Sequence, residues 1–105
     1  MIDPTTENAI RSFMALIADR YNVAGAILYG SRARGTHRPD SDVNVAVLLN
    51  GYQDRNFIEV LLDMSDLAYD VLLETGLNIS PYPVWTDEFN SQSLHLDYLR
   101  EGIRL

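Results

Sequence analysis

The chain has 105 residues, enough for one small domain, and its 47% apolar and 22% charged residues are the balance of a soluble globular fold. It contains no cysteine and no apolar run of membrane-spanning length, which excludes disulfides, zinc-thiolate sites, thiol nucleophiles and a transmembrane helix. The net charge is −7 and all eight basic residues are arginine, so general nucleic-acid binding by a basic surface is not expected.

The opening Met1-Ile2-Asp3-Pro4 carries neither the basic region nor the apolar core of an export signal, and a cytoplasmic location is expected. Asp3-Pro4-Thr5-Thr6-Glu7 reads as a helix start. Ile10, Phe13, Met14, Ile17 and Tyr21 then supply an apolar stripe at helical spacing, giving a first helix over about residues 5–21. Val23 to Tyr29 is a short apolar strand bounded by Gly30, and Val43 to Leu49 a second one ending at the Asn50-Gly51 turn. Both are apolar on two faces, as strands covered by helices are.

The longest periodic segment runs from about Gln53 to Thr75, with Gly76 as its cap. At helical spacing Phe57, Val60, Leu61, Met64, Ala68, Val71 and Leu72 share a core face, while Glu59, Asp63, Asp66, Asp70 and Glu74 form an acidic row. Ile58, Leu62, Tyr69 and Leu73 widen the apolar arc beyond what a small domain needs and predict a surface for a partner protein or a homo-oligomer. Leu77 to Trp85 is a third strand that Pro81 and Pro83 confine to an edge or to a segment with limited pairing. Thr86-Asp87-Glu88-Phe89 looks like a helix cap, and a last helix is expected roughly from Ser93 to Glu101, stopped by Gly102.

The chemistry concentrates between the first two strands. Gly30 ends a strand where the lack of a Cβ lets a ligand approach the backbone, and Ser31 offers a hydroxyl and a free N–H at the start of a helical turn, a good setting for phosphate. Arg32, Arg34 and Arg38 place positive charge in this loop of an acidic protein; they suit an anionic ligand, or else only offset Asp40 and Asp42. Asp42 and Asn44 are two apart, so their side chains project from one face of the strand. A structural reading of Asp42, paired with Arg34 or Arg38, competes with a metal-ligand reading. His37 reads as a solvated loop histidine, His95 as a helix-surface residue, Asp40 as a turn residue, and Trp85 and Tyr82 as core or interface residues, with base stacking the lesser reading.

Gly30-Ser31-Arg32-Ala33-Arg34-Gly35, followed by Arg38-Pro39-Asp40-Ser41-Asp42, resembles the signature of the nucleotidyltransferase superfamily, whose pattern is Gly-Ser and then Asp-x-Asp. The resemblance extends over nearly the whole chain and is to a minimal nucleotidyltransferase. It implies a single α/β (α+β) domain over residues 1–105, with a small mixed sheet flanked by helices in the polymerase-beta-like fold. It further implies nucleotide contacts at Gly30, Ser31, Arg32 and Arg34, and Mg²⁺ held at Asp42 and at position 44, which are also the catalytic positions. ATP or another NTP would donate AMP to a hydroxyl. The family's pattern has a second Asp where this chain has Asn44, and a third carboxylate on the strand after the long helix, where Ile79 to Trp85 contains no acid. An amide can coordinate a hard cation but brings no charge, which leaves open a degenerate module that binds nucleotide or partner without turnover. Minimal nucleotidyltransferases often accompany a HEPN-domain toxin, and the resemblance implies an antitoxin paired with such a protein.

Overall fold

The computed structural model describes residues 2–91 and 96–105, and its elements follow from local chemistry. The first helix, α1 (Pro4–Ala18), starts at Asp3, whose carboxylate accepts hydrogen bonds from the Thr6 amide at 2.9 Å and the Thr6 hydroxyl at 2.7 Å. It buries Thr6, Ala9, Ile10, Phe13 and Ile17, one face at helical spacing. It stops short of the expected residue 21. Tyr21 lies in the following turn, where its hydroxyl donates to Asp63 at 2.5 Å.

Strand β1 (Val23–Tyr29) runs into the short helix α2 (Ser31–Arg34), and strand β2 (Val43–Leu49) pairs with β1 antiparallel. The long helix α3 (Phe57–Thr75) begins four residues later than the expected Gln53, because the Asn56 side chain caps it by accepting from the amides of Ile58 and Glu59. This crossover delivers β3 (Ile79–Trp85) parallel to β2. The strand lies at the edge of the sheet, as two prolines lacking N–H groups require. Helix α4 (Thr86–Asn90) and helix α5 (Asp97–Arg100) follow. Part of the expected last helix, with His95, falls outside the described residues. A two-residue strand that sequence reading missed, β4 (Ile103–Arg104), pairs antiparallel with Ile27 and Leu28 of β1.

The result is a four-stranded mixed sheet in the order β3-β2-β1-β4. Alternation divides it. Ala26, Leu28, Val43, Val45, Val47 and Ile79 face α1 and α3 in the main core. Ile27, Ala46, Leu48 and Val84 point the other way, into a smaller cluster closed by Leu96 and Leu99. Asn44 belongs to this second face by its alternation with Val43 and Val45. The site is therefore built on the side of the sheet away from the two long helices.

Candidate functional site

Gly30 leaves β1 at φ +83°, a left-handed conformation that side chains other than glycine's rarely accept. A Cβ there would stand 2.6 Å from Nδ2 of the Asn44 side chain, so glycine also leaves room for that side chain against the turn. Its carbonyl accepts from the amides of Ala33 and Arg34, which closes the single turn of α2. Ser31 and Arg32 occupy the first turn, where amides have no acceptor within the helix. Gly-Ser turn and Asp-x-Asn strand are thus one juxtaposed unit.

Asp42 lies exposed just before β2, and its Oδ1 accepts from the Asn78 side chain at 3.2 Å. The backbone beneath is tied the same way, with the Val43 amide donating to the Asn78 carbonyl at 2.9 Å. Among the described residues Asp42 is in no ion pair with Arg34 or Arg38, so the structural reading of this carboxylate loses its expected partners. Asn44 stands in register with Tyr29 on one side and Ser80 on the other. Ser80, Tyr82 and Val84 are the β3 residues that share its face, and none is an acid. No group of three or more His, Cys, Asp or Glu side chains suited to a metal exists among the described residues. The donor set is one carboxylate, one amide oxygen and one hydroxyl. That suits a single Mg²⁺ completed by nucleotide phosphates, and lacks the charge for a two-ion site.

Arg32, expected on the phosphates, is turned inward. It is 3% exposed, and its guanidinium donates to the carbonyls of Ser41 at 3.0 Å and Pro39 at 3.0 Å and to the Thr6 hydroxyl at 2.7 Å. The fork of donors fits three fixed oxygens and pins the loop between Gly35 and Asp42 onto α1. His37, expected in solvent, is partly buried, with Nε2 3.1 Å from the Asp3 carboxylate. Arg34 does remain exposed and lines a cleft of about 200 Å³ together with Tyr29, Gly30, Ala33, Tyr98, Glu101 and Gly102.

Tyr29 and Tyr98 meet edge to face with ring centroids 5.4 Å apart. Burial, then the neighbouring Tyr98 and Tyr82, pushes the Tyr29 hydroxyl up to about 12, and burial followed by Tyr82 also raises Tyr98. These phenols are neutral hydrogen-bond donors beside the Gly-Ser turn throughout the physiological range. Sequence reading missed this group, since residues 29, 82 and 98 come together only through the sheet order. Asn78, the residue that positions Asp42, was missed for the same reason. Trp85 is buried in the main core, as expected.

The family model for polymerase beta nucleotidyltransferases matches residues 13–93, which include both the Gly-Ser turn and the Asp42 strand. The chain belongs to the nucleotidyltransferase family. A Methanocaldococcus jannaschii protein named "putative protein adenylyltransferase" is 30% identical over 101 residues, covering 91% of this chain and 93% of that protein. A crystal structure described as a "putative nucleotidyltransferase" from Sulfolobus solfataricus superposes with a TM-score of 0.65 at 16% identity, covering 99% of this chain and 87% of the other. At that identity the superposition supports the fold of this nucleotidyltransferase, a mixed sheet flanked by helices. Among the described residues, no helix is long and apolar enough to cross a membrane.

Proposed function

We propose that this nucleotidyltransferase binds ATP with Mg²⁺ and transfers AMP to a protein hydroxyl, acting in the cytoplasm as antitoxin to a HEPN-domain toxin. The observation that carries the reading is the seating of the Gly30-Ser31 turn against Asn44, with Asp42 two residues away on the same face. The name borne by the Methanocaldococcus relative supports AMP and a protein acceptor. Asp42, with the oxygens of Asn44 and Ser80, would hold Mg²⁺, which when bound neutralises phosphate charge. Ser31 and the first-turn amides would hold the phosphates, Arg34 would face them from the cleft, and Tyr29 and Tyr98 would wall it. The acceptor oxygen bonds to the α-phosphorus, the bond from that phosphorus to the bridging oxygen breaks, and pyrophosphate leaves. Because Asp42 is engaged in binding and β3 offers no carboxylate, the hydroxyl proton goes to water, and turnover is expected to be slow.

Calorimetric titration with ATP and Mg²⁺ tests the binding half. Affinity should fall in Ser31→Ala and Asp42→Ala, and equal affinity in both variants would move the site elsewhere. Asn44 in place of the family's second Asp, beside a strand β3 that contains no acid, favours a second reading, a degenerate module that binds without transferring. Asn44→Asp separates the two. One restored charge worth ~1.4–2.7 kcal/mol in the transition state raises AMP transfer roughly 10- to 100-fold, whereas equal background turnover of both forms establishes the binding module.

A further inference from the structure

Ile58, Leu62, Tyr69 and Leu73 are 55%, 60%, 57% and 68% exposed, and they lie in one row along α3. The row spans four turns, roughly 22 Å of helix. None of its members is needed by the core, which α3 fills with Val60, Met64, Leu67, Ala68 and Val71 from the opposite side. Along one flank run the exposed acids Glu59, Asp66 and Asp70. Two further acids, Asp63 and Glu74, turn toward α1 to bond Arg20, Tyr21 and Ser12. Between Phe57 and Thr75 the sequence has no basic residue at all.

We infer that this face of α3 docks a basic amphipathic helix of a partner protein. An apolar row at helical spacing takes the apolar side of another helix, and the one-sided acidic flank selects a partner with arginines or lysines beside its own apolar row. The charge pattern also decides against a second copy of this chain. The row is nearly symmetric about Ser65 and Asp66, so two copies could pair antiparallel, but the two-fold axis would bring both acidic flanks to the same side of the seam. Like charges would then line the interface with no cation on either helix to offset them. The surface is independent of the nucleotide site, which lies on the other face of the sheet.

The test uses the intact chain without nucleotide, so its outcome is separate from that of the transfer chemistry. A fluorescent helical peptide of about 20 residues, with leucines on one face and arginines along one flank, is titrated by anisotropy. Binding is expected to weaken steeply with added salt. It should fall about tenfold or more in Leu62→Asp and in the charge-reversed Asp66→Arg/Asp70→Arg variant. Both substitutions are on exposed positions, and circular dichroism should show an unchanged fold. The same peptide with glutamates in place of arginines should not bind. The inference is overturned if the arginine peptide fails to bind, if it binds both variants as well as the parent, or if light scattering shows a dimer that Leu62→Asp dissociates.

Discussion

Arg32 shows how one side chain can shape the motif loop from inside the fold. Its charge is buried among carbonyls and a hydroxyl, where a guanidinium replaces water at three oxygens at once. Arg32→Ala would strand those acceptors and release the segment that leads to Asp42, at a cost of ~2–4 kcal/mol. In urea unfolding the midpoint should drop with little change in slope, and Arg32→Lys should recover only part of the loss, because an ammonium cannot span the fork. ATP affinity should weaken along with stability, since the loop carries Asp42. The inward turn of Arg32 was not legible in the sequence. Spacing places it beside Ser31 in a phosphate loop, and its partner Thr6 is 26 positions away in the chain. Asn44, by contrast, was legible by position alone, and the structure adds the contact that makes it matter, with Gly30.

At the level of elements, legibility followed local punctuation. β1 and β2 have the expected bounds because Gly30 and Asn50-Gly51 interrupt apolar runs sharply. β3 was recognisable as an edge because proline removes ladder donors. β4 was not, because two residues carry no period and their pairing is set by the distant Ile27 and Leu28. The wide apolar arc of α3 could be read because its members repeat at 3.6 residues over four turns. The start of α1 joins local capping to the site, since Asp3 caps the helix, accepts from Thr6 and meets His37 of the motif loop. The hydrogen bonds from the Thr6 amide and hydroxyl hold the Asp3 carboxyl below its ordinary 3.8, with smaller contributions from His37 and Arg32. A lowered folded value means that the stabilisation is complete above the unfolded pKa and disappears as pH falls through the folded one. Asp3→Ala should therefore cost ~1 kcal/mol at neutral pH and less once the carboxyl is protonated in both states, when only the weaker neutral cap is left. In thermal melts of both proteins, compared from pH 7 down to about 2, the gap should narrow toward the acid end.

At the scale of the molecule, the C-terminal segment joins the second face of the sheet to the cleft beside the Gly-Ser turn. Leu96 and Leu99 complete the smaller cluster, Tyr98 and Glu101 wall the cleft, and β4 holds them by pairing with β1. The bend between α5 and β4 is Gly102, whose amide donates to the Leu99 carbonyl at 3.0 Å. A Cβ there would lie 2.5 Å from the Leu28 carbonyl oxygen and 2.6 Å from a methyl of Ile27. The backbone oxygen belongs to a strand paired on both sides and cannot yield, so the added methyl must push the C-terminal segment away. Gly102→Ala is thus expected to cost ~1–3 kcal/mol, as an overpacked core position does. Its distinctive consequence is local. Amide exchange should accelerate at Ile103 and at Leu105, whose N–H now donates to the Ala26 carbonyl at 2.9 Å, while the amides of α1 and α3 stay protected. ATP should bind more weakly as Tyr98 leaves the cleft, even though no phosphate contact has been altered. Unchanged exchange at the C-terminus together with unchanged affinity would show that β4 is not what holds the cleft wall in place.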